Sequence, residues 1–234
     1  MAPKGGMMLP SDIVISQVFG GGGTGPSPFQ CDFIELFNRS CLPVDISGWS
    51  VQAAEGNGVS WEKTDLPSVI IPPGGYFLIQ GDCGQNGAPL PTPDVVGAIN
   101  VNANNGKVAL MSNTTLLNAA CPLTDANAPF VVDFVGYGSA NCFEGSGAAP
   151  GPDNATAILR LGGGCVDTDD NAADFVVGAP DPRNSLTTPN LCPNCTTTTT
   201  STSTTTSTST TTSTTTTPPP RGVSWFAHEV EVGS

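Results

Sequence analysis

Positive charge is scarce in this sequence: 7 Lys and Arg stand against 20 Asp and Glu in 234 residues, a net charge of -13. A polyanion is repelled by such a field, so broad, non-specific nucleic-acid binding is not expected, and only a local patch around Lys63, Lys107, Arg160 and Arg183 would offset it. Histidine is nearly absent. The single one, His228, lies beyond a Thr/Ser tract near the end of the chain, which removes a Ser-His-Asp triad or a Cys-His pair from the main body. Long apolar runs are missing too. No segment approaches the roughly 20 apolar residues of a membrane-spanning helix, and the opening MAPKGGMMLPSD is too short of apolar residues for a secretion signal.

Cysteine, glycine and proline are what the chain has in quantity. The eight cysteines, Cys31, Cys41, Cys83, Cys121, Cys142, Cys165, Cys192 and Cys195, are spread out and not grouped at metal-ligand spacing. That distribution makes all eight disulfide candidates and points to an oxidising, extracellular or cell-surface location. Their pairing stays open, since eight cysteines allow on the order of 100 connectivities. Cys192-Pro-Asn-Cys195 has the spacing of a redox or zinc pair, but it lies at a domain end and not at a strand-to-helix junction, so disulfides to partners elsewhere are the expectation. The cysteines and the missing secretion signal pull in opposite directions; the cysteines weigh more, and the chain is then a mature form or an incomplete gene reading.

Gly20, Gly22 and Gly25 match the G-x-G-x-x-G spacing of a dinucleotide-binding loop, which works only where a helix starts inside it. Gly25 is followed by Pro-Ser-Pro and then CDFIELFN, rich in aromatic and β-branched residues, so no helix begins and the stretch reads as a loop between strands. Short apolar runs bounded by Gly, Pro, Asn and Asp recur at 12–19, 32–38, 44–52, 58–63, 68–71, 76–80, 95–100, 107–112, 130–138, 157–161 and 174–177. Runs of this length and spacing predict an all-β sandwich or barrel. In DFIELFN, Phe33 and Phe37 share a face with Glu35 while Ile34 and Leu36 take the other, so both faces are expected to be covered. The PPGG reversal at 72–75 predicts that the runs at 68–71 and 76–80 pair with each other.

Composition changes at Thr196. Residues 196–217 are all Thr or Ser, with nothing apolar to bury, and are expected to form a disordered, solvated tether of the kind often O-glycosylated. Pro218 to Pro220 stiffen its end, and residues 221–234 alternate well enough for one strand, a docking peptide or the start of a truncated module. The expected organisation is thus an N-terminal extension over 1–11, one β domain over 12–195, a linker over 196–220 and a short segment over 221–234.

Several blocks in order carry a resemblance to a known family: ISQVFGGGG at 15–23, DFIELFNRSCLPVDISGWSV at 32–51, IPPGGYFLIQ at 71–80, GKVALMS, VVDFVGYGSANCFEG at 131–145 and DTDDNAADFVVGAPDPRNS at 167–185. They resemble the lamin tail domain in its secreted microbial form, over about residues 12 to 192. The resemblance implies an immunoglobulin-like β-sandwich without catalytic residues of its own, used for adhesion or targeting and often found beside hydrolase modules. The coiled-coil rod that would make the chain a lamin is absent.

Four sets of residues are candidates for more than structure. Asp167, Asp169 and Asn171 begin the D-x-D-x-N alternation of a calcium loop, with Asp174 as a further ligand, although the sixth position is Ala172 and the twelfth Gly178. The competing reading is a set of turns capping backbone amides, and no other cofactor is expected. Glu35 and Asp133 sit inside strands and invite an acid/base pair, but partnered structural carboxylates fit the pattern better. Trp49 is expected to fill the core, which leaves Trp61 as the better candidate for an exposed carbohydrate-stacking platform. Asn38, Asn113, Asn154 and Asn194 head N-glycosylation sequons.

The leading functional expectation is a non-enzymatic extracellular adhesion or interaction module, with a protein or glycan partner at the cell surface, held on a Thr/Ser-rich stalk. Two alternatives stand beside it: the accessory domain of a secreted nuclease or phosphatase whose catalytic part is missing, and a self-associating subunit of a surface filament.

Overall fold

A computed structural model describes residues 12–195, all of which fall in the first of two units of the chain, Met1–Thr196. The expectations for residues 1–11, the Thr/Ser tract, Pro218 to Pro220, His228 and the 221–234 segment lie outside the described residues.

Twelve strands carry the described part: β1 (Ile13–Phe19), β2 (Cys31–Asn38), β3 (Val44–Asp45), β4 (Ser50–Glu55), β5 (Glu62–Asp65), β6 (Ile70–Ile71), β7 (Tyr76–Cys83), β8 (Val95–Val96), β9 (Gly106–Met111), β10 (Val131–Tyr137), β11 (Ala157–Arg160) and β12 (Phe175–Gly178). The one α-helical turn is α1 (Asn171–Asp174). One sheet runs β12-β11-β1-β2-β7-β8, a second β10-β9-β4-β5, and β3 pairs with β6 alone; every pairing is antiparallel except β7 with β8. The chain is therefore all-β, as its alternating runs predict.

Strand alternation builds the core directly. Ile34 and Leu36 of β2, Phe77 and Ile79 of β7, Val51 of β4 and Val108 and Leu110 of β9 meet between the two sheets. Their neighbours point outward, yet they too are covered. On the four-stranded sheet, Ala109, Met111 and Phe134 pack with Trp61 under Leu117, Cys121 and Leu123 of the segment 112–130. On the six-stranded sheet, Val14, Phe37 and Tyr76 pack with Cys192 of the segment 179–195. Each sheet thus carries a strap across its outer face, which is why all eight residues of β2 are buried.

Two expectations about the strands are corrected. The runs at 68–71 and 76–80 do not pair: β6 joins β3 with Ile71 opposite Val44, whereas β7 joins β2 with Tyr76 opposite Phe37. The 72–75 turn is tight, with the Gly75 N–H donating to Pro72 O at 2.9 Å, but it carries the chain from the small sheet into the large one. The long β2 offers β7 a full ladder that the two residues of β6 cannot. The run at 44–52 is likewise broken into β3 and β4, because Gly48 adopts φ of 78° in a turn closed by Trp49 N–H on Ile46 O. Trp49 is half-buried and packs against the main core, as expected.

All eight cysteines are bridged, as Cys31–Cys83, Cys41–Cys195, Cys121–Cys142 and Cys165–Cys192. Cys192 and Cys195 have separate partners, so the C-x-x-C spacing forms neither a redox pair nor a zinc site. Each strap is fastened by sulfur: 112–130 through Cys121, 179–195 through Cys192 and Cys195.

Candidate functional site

The carboxylates singled out in the sequence are occupied by arginines. Arg160, at the end of β11, is buried; its Nη2 donates to both oxygens of Asp133 at 3.0 and 2.9 Å, its Nη1 to Asp167 Oδ1 at 2.9 Å, and its Nε to Ile15 O at 2.9 Å. Asp174 lies 3.5 Å away, and the guanidinium stacks on Phe175. Asp133 also accepts the Ile15 N–H, so one ionic hub ties β1 and β11 of the large sheet to β10 of the small one. Glu35, on the covered outer face of β2, is held by the Arg183 side chain and backbone N–H and by the Ser16 and Gln17 side chains. Burial raises the proton affinity of both acids, Asp133 to about 6, against the pull of their arginines. Glu35 and Asp133 therefore sit on different sheets, each paired to its own arginine, and form no acid/base pair.

Three of the four residues of the calcium expectation, Asp167, Asn171 and Asp174, are engaged by protein contacts. Asp167 is shared between Arg160 and Arg39, at 2.9 and 3.0 Å. Asn171 points into the core, its Oδ1 accepting from the Gly136 and Glu144 N–H groups. Asp174 accepts from the Thr168 N–H and hydroxyl, and Asp170 caps α1 through the Ala172 N–H. The Asp169 side chain takes part in none of these bonds. Among the described residues no group of three or more His, Cys, Asp or Glu side chains is disposed to hold a metal. The guanidinium groups of Arg160 and Arg39 meet this acidic run at Asp167.

Trp61 is buried at 4% exposure, its indole N–H donating to Ala119 O at 2.9 Å; it anchors the 112–130 strap and offers no stacking platform. Lys107 is buried beside it, its ammonium held by Gly58 O, Ala120 O and Asn141 Oδ1. With Arg160 and Arg183 also committed, and Lys63 paired to Asp65, the four basic residues form no surface patch. The sequons divide in the same way. Asn38 is buried, while Asn113 and Asn154 are partly exposed and Asn194 is exposed.

Three cavities gather at one end of the sandwich. The glycine loop between β1 and β2 is folded against the ends of other strands so closely that a Cβ at Gly22 would collide with the Asp32 N and one at Gly23 with the Gly84 backbone. Asp32 pins it from below: Oδ1 accepts the Gly22 N–H at 2.8 Å and Oδ2 the Val101 N–H at 3.0 Å. The Cys31–Cys83 bridge clamps the adjoining strand ends. Around this base lie three shallow cavities. One of about 250 Å³ is lined by Gly20, Gly22, Gly23, Thr24, Asp32, Asp82, Cys83, Gly84 and Asn100. A second, of about 210 Å³, shares Asn100 and adds Glu55, Ser60 and Glu62. A third, of about 260 Å³, is lined by Pro26, Asn104, Asp153, Asn154 and Ala155. The rim is acidic and amide-rich, with no histidine among its lining residues.

Asp32 and its neighbours escape a reading of the sequence because they come from distant stretches, around Gly22, Asp32 and Val101. A lone Asp at a strand start carries no signal that it bridges two loops.

Comparison with known families places the chain. The profile of the lamin tail domain matches residues 8–139, more than half of its length. The chain belongs to the lamin tail domain family. This is a family of immunoglobulin-like, non-catalytic domains, and the glycine loop, β2 and the Asp32 anchor all fall inside the matched region of this lamin tail domain. No curated protein matches the chain. Among solved structures, a DUF4876 family protein from Bacteroides thetaiotaomicron superposes with a TM-score of 0.44 at 11% identity, over 73% of this chain and 72% of that one.

Proposed function

We propose that this lamin tail domain is a non-enzymatic, extracellular binding module that recognises a protein or glycan partner at the cell surface through its glycine-loop end. The observation that carries this reading is where three cavities gather. These three cavities sit at the end of β2 that begins with Cys31, whereas the last described residue, Cys195, is bridged to Cys41 just past the other end. Eight residues of strand separate them by roughly 25 Å. The recognition end thus faces away from the point where the chain leaves the domain. Four bridges, with no helix among the described residues long and apolar enough to cross a membrane, fit an oxidising location outside the cell.

The rim carries acids and amides, groups that hydrogen-bond sugar hydroxyls and attract basic protein surfaces without supplying a nucleophile or a general base with a histidine partner. The test is saturable binding of the purified full chain to a printed glycan array and to immobilised cell-surface protein, set beside the paired variant Asp82→Lys with Glu62→Lys. Binding is expected to weaken about tenfold or more, since reversing a rim charge sacrifices at least about 1.4 kcal/mol of complementarity. Unchanged binding by the variant refutes the assignment of this end. Turnover of nucleic acid or phosphate esters that a point change inside residues 12–192 abolishes refutes the non-enzymatic reading.

A further inference from the structure

We propose that Asn113, Asn154 and Asn194 are acceptors for an N-linked oligosaccharide, and that Asn38, which carries the same sequence signature, is barred from that role by the fold. The four sequons, Asn38-Arg39-Ser40, Asn113-Thr114-Thr115, Asn154-Ala155-Thr156 and Asn194-Cys195-Thr196, are equivalent as sequence. The structure makes them unequal.

Asn38 is fully buried at the end of β2, and its amide is used on every side. Nδ2 donates to Leu42 O and to Ile71 O, both at 2.8 Å, and Oδ1 accepts from the Ser40 N–H at 2.9 Å and the Ser40 hydroxyl at 2.8 Å. This one side chain joins β2 to the β3–β6 pair. Replacing an Nδ2 hydrogen by a sugar deletes a bond to one of two carbonyls and forces a bulky polar group into packed protein, which leaves a buried acceptor unmatched. A chain modified there cannot complete this corner of the fold.

The other three asparagines hold nothing together with their Nδ2 hydrogens. Asn113 follows β9; its Oδ1 accepts the Thr115 N–H, while its Nδ2 has no protein acceptor among the described residues. Asn154 stands in the turn before β11, where Asp153 and Thr156 make the turn's hydrogen bonds and the Asn154 side chain makes none. Asn194 is exposed, between the two bridged cysteines of the second strap, and its side chain also lacks a partner among the described residues.

The donor is a lipid-linked pyrophosphate oligosaccharide. Nδ2 forms a bond to C1 of the first sugar as the C1–O bond to the pyrophosphate breaks; the pyrophosphate leaves with the electron pair, and the amide gives one proton to a base of the transferase. No oxidant or reductant is needed. A sugar on Asn154 stands beside the cavity that Pro26, Asn104 and Asp153 line, so it covers that third of the loop end and leaves the Asp82 and Glu62 rim bare.

The inference rests on the extracellular reading for its compartment, and the experiment separates the two by imposing that compartment. The full chain is led through the secretory pathway of a glycosylating eukaryotic host, and the secreted monomer is mapped by mass spectrometry of glycopeptides before and after peptide-N-glycosidase. Sugar is expected on Asn113, Asn154 and Asn194 and none on Asn38. Asn154→Gln is expected to lose the mass of one glycan and no other. An unmodified asparagine at any of the three, or sugar on Asn38 in secreted monomer with its four bridges intact, overturns the proposal. The extracellular reading is tested separately, by fractionation of the natural host.

Discussion

Asp32 holds two loops of the glycine-loop end through one carboxylate, with a proton affinity far from that of a free aspartate. Burial pushes it up to about 7, the Gly22 and Val101 amides pull it back, and Asp82 adds to the rise. Glu144, buried beside Asn171, is driven by burial and by Asp133 to about 9, and Asp133 itself stands near 6. All three bind a proton more tightly folded than unfolded, so their contribution to stability is complete below the ordinary carboxylate range near 4 and is lost as pH rises through these folded values. The melting temperature is accordingly expected to fall between pH 5 and pH 8. A thermal scan of Asp32→Asn should show a shallower fall; an identical slope would assign the effect elsewhere. Arg160 offers a second test. Its removal leaves Asp133 and Asp167 buried without their cation, so Arg160→Met is expected to cost about 3–5 kcal/mol, read by denaturant titration with the bridges intact. Little of this was legible beforehand. Arg160 and Arg183 looked like free charges because their partners, Asp133 and Glu35, are 27 and 148 residues away, and spacing along the chain says nothing about pairs closed by the fold.

Strands were easier to read than their pairing, and the reason is range. Alternation in 32–38 or 107–112 is local, and the observed β2 and β9 begin and end within a residue of those runs. The partner of β6 depends on which sheet has room after the 72–75 turn, which no local pattern encodes. The straps are the element least visible in the sequence: 112–130 looks like an irregular loop, yet Trp61 just before β5, with Lys107 and Gln52 of the sheet, binds its backbone carbonyls at Ala119, Ala120 and Thr115. Cys121–Cys142 closes it with a separation of 21 residues. Replacing both cysteines by serine should lower stability by about 3 kcal/mol on loop-closure grounds. Limited proteolysis should then cut first between residues 113 and 120, since the strap keeps its hydrogen bonds but loses its covalent fastening. A first cut elsewhere would mean that the side-chain contacts alone hold it.

For the whole molecule, the all-β class followed from the spacing of runs and turns, and the family from blocks in a fixed order; the position of the proposed binding end followed from neither. That end is assembled from the loops near residues 20–26, 55–62, 82–84, 100–104 and 153–155, and only packing of the two sheets brings them together. Cys41–Cys195 spans 154 residues, and a bridge of that length is expected to contribute about 5 kcal/mol by restricting the unfolded chain, less any native strain. The Cys41→Ser, Cys195→Ser pair should show this as a lowered denaturation midpoint with no change in the cavities' ligand affinity; a change in affinity would mean that the two ends communicate. The same bridge also decides how the domain bears a load. A pull on the chain at Cys195 does not peel the second strap from its sheet residue by residue, because sulfur hands the force straight to Cys41, at the foot of β2. At the head of that strand, Cys31 is bolted to Cys83. Tension applied between the glycine-loop end and Cys195 therefore runs along a central strand secured at top and bottom, in shear across its neighbours, which is the direction in which a sheet resists most.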